Sequence, residues 1–191
     1  MAHAYDLDEY VADLWRIADA GLAEPEILDA VGPLARRLAG NRGLLDIRHY
    51  PADPMQPAGL HLLHEEADHS LAVFAITWLP NSMSPVHDHG TWAVVAGVSG
   101  VERNLRYARI DDRARRGFAE LKLKSTVDVG PGEVLCMRTG GIHAVRNDSP
   151  EPSLSLHTYG RHINFATRSQ YDMATGTMRP ISLRVSGAGA G

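Results

Sequence analysis

Residues 85–92 read PVHDHGTW and place two histidines one residue apart. If this segment is extended, His87 and His89 point to the same face, because side chains alternate across a strand. Two imidazoles on one face can share a metal ion. Two surface histidines on an edge strand would give the same pattern, so this motif alone leaves both interpretations open.

A second segment, residues 130–147, reads GPGEVLCMRTGGIHAVRN. Its glycines predict a turn on each side of a short strand, and His143 and Asn147 follow the second turn. Glycines directly before His143 allow a sharp change of backbone direction that aims this side chain back into a barrel. The segment therefore supplies a candidate third imidazole for the same metal.

A third segment, SLHTYG at residues 155–160, carries polar groups at every second position. Ser155, His157 and Tyr159 share one face of a strand, because strand side chains alternate with a period of two. The other face carries Leu154, Leu156 and Thr158. The pattern predicts a hydrogen-bonded relay in which the serine orients the imidazole and the imidazole holds the tyrosine hydroxyl. An outward polar strand face is the competing interpretation.

Two amphipathic helices are predicted before these motifs, over residues 6–21 and 25–40. Asp6 with Glu9 three residues later matches a capping box, and Pro25 suits a first helical turn. We expect the two helices to pack as a pair on one face of the main body.

Beyond residue 44, short segments rich in β-branched residues alternate with turn residues. This texture is typical of an antiparallel sandwich or barrel. The sequence thus predicts one domain over residues 1–185, with helices at about 6–40, a β-barrel at about 45–185 and a flexible tail at 186–191. The predicted strands cover residues 71–79, 92–99, 101–109, 119–128, 133–138, 142–147, 153–159 and 181–185.

Composition excludes several classes of protein. The 191 residues have a net charge of −4, which argues against a nucleic-acid partner. No apolar run approaches the roughly 20 residues that cross a bilayer, and the single cysteine, Cys136, excludes an intramolecular disulfide framework. We therefore expect a soluble, cytoplasmic protein without a membrane partner. Six arginines at 103–116 stand beside Glu102 and other acidic residues, which predicts a solvated hairpin of mixed charge.

The first two segments together resemble the two motifs of the cupin superfamily. Those motifs are H-x-H followed by Glu and Gly, and then Gly, Pro-x-Gly, His and Asn at set spacings. The matching positions here are His87, His89, Gly100, Gly132, Gly140, His143 and Asn147. Arg138 replaces the usual Pro, and Ala93 and Val94 fill the place of the ligand Glu. The resemblance implies a mainly β cupin barrel, or jelly roll, behind the N-terminal helices.

A cupin with three histidines and no ligand glutamate would have a neutral ligand set. A divalent metal would then keep its full charge and have open positions for anionic ligands. With the Ser-His-Tyr strand added, the sequence is similar to the thiol dioxygenase family, which includes cysteine dioxygenase and 3-mercaptopropionate dioxygenase. The resemblance covers about residues 45–180.

The resemblance to thiol dioxygenases implies a mononuclear non-haem Fe(II) held by His87, His89 and His143. The activity it implies is the oxidation of a small thiol with O2 to the sulfinate. Tyr159 would then contact substrate or oxygen, oriented by His157 and Ser155. Imidazole ligands also suit zinc, copper and nickel, so the spacing alone does not identify the metal.

Members of this family differ in the arginine that holds the substrate carboxylate. The mammalian type uses an arginine on an early strand, but no arginine occurs between Arg48 and His87. The cross-linked cysteine of the mammalian type is also missing after His89, and Cys136 is interpreted as a small core residue. The resemblance is therefore closer to the bacterial 3-mercaptopropionate type, which uses an arginine shortly after the Ser-His-Tyr strand.

Arg168 occupies that place, and a guanidinium offers a carboxylate two parallel hydrogen bonds. An ordinary salt bridge to Asp172 is the alternative role. Arg161 and His162 are candidates for a second anion contact, which leaves mercaptosuccinate open as a substrate. Another metal-dependent cupin enzyme and a non-catalytic ligand-binding cupin remain competing functions, and the sequence predicts no oligomeric state.

Overall fold

The computed structural model describes residues 4–187, and two helices open the described part of the chain. Helix α1 spans Leu7–Asp19 and helix α2 spans Glu24–Ala39. Asp6 caps α1, since its carboxylate accepts a hydrogen bond from the Glu9 backbone while the Glu9 side chain accepts one from Asp6. Both predicted helices are thus confirmed, each within two residues of its expected ends.

The strands of residues 4–187 form two sheets, preceded by a 3-10 helix at Ile47–His49. In chain order they are β1 Ala58–Glu65, β2 Ala72–Trp78, β3 Ser82–Met83, β4 Val86–His87, β5 Ala93–Ser99, β6 Glu102–Arg109, β7 Leu121–Val129, β8 Val134–Met137, β9 Ile142–Asn147, β10 Ser153–Tyr159, β11 Ser169–Tyr171, β12 Met178–Pro180 and β13 Ser186–Gly187. No helix within these residues is long and apolar enough to cross a membrane.

The first sheet has the order β13-β1-β2-β10-β5-β8, and the second has the order β12-β11-β4-β9-β6-β7 with β3 beside β9. The named strands pair antiparallel except for β1 with β13. Residues of both sheets form one buried cluster, including Phe74 of β2 and Val145 of β9. The sheets therefore face each other, and β10 lies in the middle of the first.

The two faces of the first sheet bury different partners. Val73 of β2 and Leu156 of β10 face the helices and share a core with α1 and α2. On the same face, the Tyr10 hydroxyl of α1 lies 2.6 Å from the Thr158 hydroxyl, in a buried hydrogen bond. The opposite face of β10 therefore points between the two sheets.

The expected antiparallel architecture is confirmed, and seven predicted strands correspond to β2 and β5 to β10. The prediction of a strand at 181–185 is wrong, because this segment pairs with no strand. Its apolar positions, Ile181 and Leu183, instead line a cavity. The predicted tail begins too early, since Ser186–Gly187 pairs with β1, while residues 188–191 lie outside the described residues.

Candidate metal centre

Three buried histidines from the two histidine motifs meet between the sheets. His87 ends β4 and pairs directly with His143 of β9, while His89 follows two residues later, beyond the end of the strand. One ligand nitrogen from each ring lies within 4.8 Å of the others. The pairing of β4 with β9 therefore brings together residues that are more than 50 positions apart in the sequence.

Hydrogen bonds orient two of these rings. Nδ1 of His87 donates to the Pro85 carbonyl at 2.9 Å, and Nδ1 of His143 donates to Oδ1 of Asn104 at 2.8 Å. An imidazole protonated at Nδ1 keeps its lone pair on Nε2. Both Nε2 atoms are thus available as ligands, and Nε2 of His143 lies 3.1 Å from Nε2 of His89.

This donor set fits a divalent metal ion. Burial, followed by the charge of Arg168, lowers the pKa of His87 to about 3. Burial also lowers the pKa of His89 and His143 well below the usual range. Neutral imidazoles are the state that binds metal. The 3.1 Å spacing is what two nitrogens about 2.1 Å from one ion have at a near-right angle, as in a facial three-ligand set.

The loop between the metal-site histidines is bound to the segment that carries Arg168. Gly90 has a φ of +65°, and a Cβ at this position would lie 2.3 Å from the Thr167 carbonyl oxygen. Asp88 accepts hydrogen bonds through its carboxylate from the Ser169 backbone and the Tyr171 hydroxyl. Only glycine allows this approach of the two backbones, so the motif fixes the Arg168 segment as well as the metal site.

The Ser-His-Tyr strand presents its polar face to the space between the sheets. Oγ of Ser155 lies 2.8 Å from Nε2 of His157, and Nδ1 of His157 lies 2.9 Å from the Tyr159 hydroxyl. All three side chains are buried. Burial raises the pKa of Tyr159, and the charge of Arg168 opposes this only in part, so the phenol stays protonated at neutral pH. The three groups form a continuous hydrogen-bonded chain.

The prediction of a solvated hairpin beside the arginines of residues 103–116 is wrong for Glu102. Glu102 is only 1% exposed, because it lies on the inward face of β6 together with Asn104. Arg103, between them, faces outward and pairs with Asp128 and Asp148. Burial alone would raise the pKa of the Glu102 carboxyl, but the neighbouring His157 and hydrogen bonds from polar side chains lower it overall.

A cavity of about 50 Å³ opens beside the three histidines. About 10–15 Å³ suffices for one water molecule, so the cavity suits a ligand of a few non-hydrogen atoms. Tyr159 and Arg168 line it together with the metal-site histidines. Most of the remaining wall is apolar and includes Leu60, Ile76, Trp78, Val145, Ile163 and Leu183.

Arg168 reaches this cavity with a guanidinium that is not fully paired. The residue is 4% exposed, and its Nε donates to the Asp88 carbonyl at 3.2 Å. Its Nη1 is buried and has no hydrogen-bond partner among the described residues. Asp172 accepts backbone hydrogen bonds from Ala174 and Thr175 and forms no ion pair with Arg168 within residues 4–187.

The other candidate residues lie outside the cavity. Arg161 is exposed and donates from Nε to the Phe165 carbonyl, and His162 is buried beside the Phe74 ring. Neither lines the cavity. Cys136 faces α2, where its thiol lies 3.6 Å from the Leu28 carbonyl.

No family model matches the sequence, and the comparison with solved structures gives structural neighbours. The chain is similar to TT1209 from Thermus thermophilus, with 17% identity, a TM-score of 0.47 and coverage of 61% of this chain and 95% of that one. A Klebsiella pneumoniae protein with a double-stranded β-helix domain is 13% identical, with a TM-score of 0.46 and coverage of 66% of this chain and 88% of that one. Oxalate decarboxylase from Lactobacillus farciminis is 12% identical, with a TM-score of 0.44 and coverage of 60% of this chain and 32% of that one.

The chain has the cupin fold. Its two facing antiparallel sheets form the double-stranded β-helix, and two helices cover the outer face of one sheet. The three histidines that could hold a metal ion lie between the sheets, and every ligand atom of the group is an imidazole nitrogen. Ala93 and Val94 are fully buried in the first sheet, and their side chains offer no ligand atom.

Proposed function

We propose that this cupin is an iron-dependent thiol dioxygenase that oxidises the thiol of a small mercapto-carboxylate with O2 to the sulfinate. Both oxygen atoms of O2 end on the sulfur, so that RSH and O2 give RSO2H without another reductant. His87, His89 and His143 would hold the iron. Bound Fe(II) supplies the redox chemistry that joins O2 to a thiol sulfur.

The observation that carries this proposal is the unpaired Nη1 of Arg168 in the same cavity as three neutral histidines. A buried cationic donor without a partner is costly, and a ligand carboxylate would satisfy it. Burial lowers the pKa of Arg168, yet a guanidinium remains charged at neutral pH. A carboxylate held there places the other end of a short molecule towards the metal-site histidines.

Tyr159 supplies a polar group to the cavity that Arg168 and the three histidines line. Its ring packs 5.1 Å from the His89 ring, and its hydroxyl is held by His157. The hydroxyl can therefore form a hydrogen bond with a ligand while its own position stays fixed. The apolar wall excludes water, which strengthens such contacts in the cavity.

The lining of the cavity favours a simple mercapto-carboxylate such as 3-mercaptopropionate over cysteine. No Asp or Glu of residues 4–187 lines the cavity, so the ammonium group of cysteine would have no charged partner. The hydroxyl of Ser84 and the amide of Gln56 are already bound to backbone groups. A second carboxylate, as in mercaptosuccinate, would also lack a partner, since Arg161 lies outside the cavity.

Oxygen uptake by iron-loaded protein tests the proposal directly. Uptake is measured separately with 3-mercaptopropionate, with cysteine and with mercaptosuccinate, and the sulfinate formed is quantified in each reaction. We expect one sulfinate for each O2 consumed, with 3-mercaptopropionate the fastest substrate. A protein that retains its iron but consumes no O2 with any of the three would contradict the thiol chemistry and favour another metal-dependent cupin.

A further inference from the structure

The buried carboxylate of Glu102 lies outside the cavity, at the junction of two hydrogen-bonded branches. Its Oε2 accepts from Nε1 of Trp78 at 2.9 Å and from Oγ of Ser155 at 2.5 Å, and lies 3.3 Å from Nε2 of His157. Its Oε1 accepts from Nδ2 of Asn104 at 3.1 Å. Indole and amide N–H groups can only donate, so these contacts define Glu102 as an acceptor at both oxygens.

The first branch runs from Glu102 through Asn104 to the metal-site histidine His143. Because the amide nitrogen of Asn104 faces the carboxylate, its Oδ1 faces Nδ1 of His143 at 2.8 Å. The opposite amide orientation would set an oxygen against the carboxylate. Oδ1 can only accept, so the His143 proton must sit on Nδ1, which leaves the lone pair on Nε2 facing the metal position.

The second branch runs from Glu102 through Ser155 to His157. A serine hydroxyl has one proton, and the short 2.5 Å contact shows that Ser155 donates it in a hydrogen bond to the Glu102 carboxylate. Oγ of Ser155 can then only accept from Nε2 of His157 at 2.8 Å, so Nε2 carries a proton. Nδ1 is left unprotonated and faces the Tyr159 hydroxyl at 2.9 Å, where it accepts a hydrogen bond from that hydroxyl.

We propose that Glu102 is a positioning residue that fixes the protons on two imidazoles at once, on Nδ1 of His143 and on Nε2 of His157. The glutamate that this chain lacks among its metal ligands is thus matched by a carboxylate two hydrogen bonds away from His143. This inference rests on the metal site of the proposed function, but not on its thiol chemistry.

The substitution Glu102→Gln tests the first branch without changing the size of the side chain. Three donors converge on Oε2, so the new amide oxygen takes that place and the new NH2 faces Asn104. Asn104 must then turn its oxygen towards this NH2 and present its own NH2 to His143. In metal-free protein, we expect the proton of His143 to move from Nδ1 to Nε2, as seen in long-range 1H–15N spectra.

The same substitution should weaken Zn2+ binding about 10-fold, measured by competition with a chelator, since partners of metal ligands typically contribute 10- to 100-fold. Asn104→Ala should weaken Zn2+ binding comparably, and adding Glu102→Gln to it should cause no further loss. Ser155→Ala removes a link of the second branch only and should leave Zn2+ affinity unchanged. Glu133→Gln, at an exposed carboxylate, is the matched control.

Three results would overturn the proposal. They are a Zn2+ affinity of Glu102→Gln within twofold of the unmodified protein, additive losses in the Glu102→Gln, Asn104→Ala double variant, and an unprotonated Nε2 on His157. If Glu102→Gln fails to fold, spectra of the unmodified metal-free protein still decide, since they must show protons on Nδ1 of His143 and Nε2 of His157. None of these measurements uses thiol or O2, so failure here is distinct from failure of the proposed reaction.

Discussion

The backbone carbonyl of Asp88 accepts a hydrogen bond from Nε of Arg168 at 3.2 Å. Asp88 stands between the metal-site histidines His87 and His89, so one short loop sets both the metal position and one edge of the guanidinium. The Asp88 carboxylate strengthens the same connection by binding Ser169. In the proposed function, the distance between the metal ion and the substrate carboxylate would therefore be determined locally, by the contact between these two segments.

Asp88→Ala should loosen this connection and raise KM for 3-mercaptopropionate about 5-fold, since about 1 kcal/mol is typical for a lost hydrogen bond. We expect a smaller rise for propanethiol, which has no carboxylate to be positioned. Tyr171→Phe, which removes a single contact to Asp88, is the graded control. Iron content is measured in parallel, and a loss of iron equal to the loss of activity would contradict the effect assigned to Arg168.

Arg168→Ala should raise KM for 3-mercaptopropionate by about 10- to 100-fold, because hydrogen bonds to charged groups contribute about 1.5–3 kcal/mol. The effect on propanethiol should be much smaller, since the lost contact is made to the carboxylate. Arg161→Ala, at an exposed arginine outside the cavity, is the control and should change neither value. Equal effects of Arg168→Ala on both thiols would remove this residue from the anchor role.

His87→Ala should lose most of the bound iron, because three ligands are the smallest facial set. Metal content after gel filtration is the measurement, and His49→Ala, at an exposed histidine, should retain iron like the unmodified protein. Iron close to one equivalent in His87→Ala would show that this residue is not a ligand.

Acid should destabilise the metal-free protein through the buried histidines. Burial holds the pKa of His87 near 3, whereas a histidine in an unfolded chain has a pKa near 6.5. Between these values the unfolded chain binds a proton that folded His87 does not. The free energy of unfolding therefore falls with falling pH, by up to about 1.4 kcal/mol per pH unit for each such histidine.

Urea denaturation from pH 7 to pH 5 measures this slope. His87→Gln should reduce the slope of the unfolding free energy against pH by the contribution of about one proton, because the unfolded chain then has one fewer group to protonate. An unchanged slope would mean that folded His87 binds its proton as readily as the unfolded chain does.

The fold and the histidine cluster could be predicted because their patterns are local. The glycine turns, the H-x-H spacing and the period-two polar face of residues 155–159 each report on a few adjacent positions. The short strand β4 was not predicted as such, since two residues carry no periodic signal and the strand exists only by pairing with β9 and β11.

Glu102 and Asn104 escaped prediction for a different reason. They lie among arginines, and composition over a window averages the inward and outward faces of one strand. The signal that could have found them is the alternation itself, since Glu102 and Asn104 are separated by one residue, like the relay residues. Their burial depends on the pairing of β6 with β9, which places Asn104 beside His143.

The two faces of β10 make different contacts, so substitutions on each face should have different effects. Leu154 and Leu156 pack against the helices, whereas Ser155, His157 and Tyr159 belong to the relay. A saturation scan of the strand should therefore alternate between two phenotypes. Changes at even positions would reduce the yield of folded protein, and changes at odd positions would give folded protein that turns over poorly.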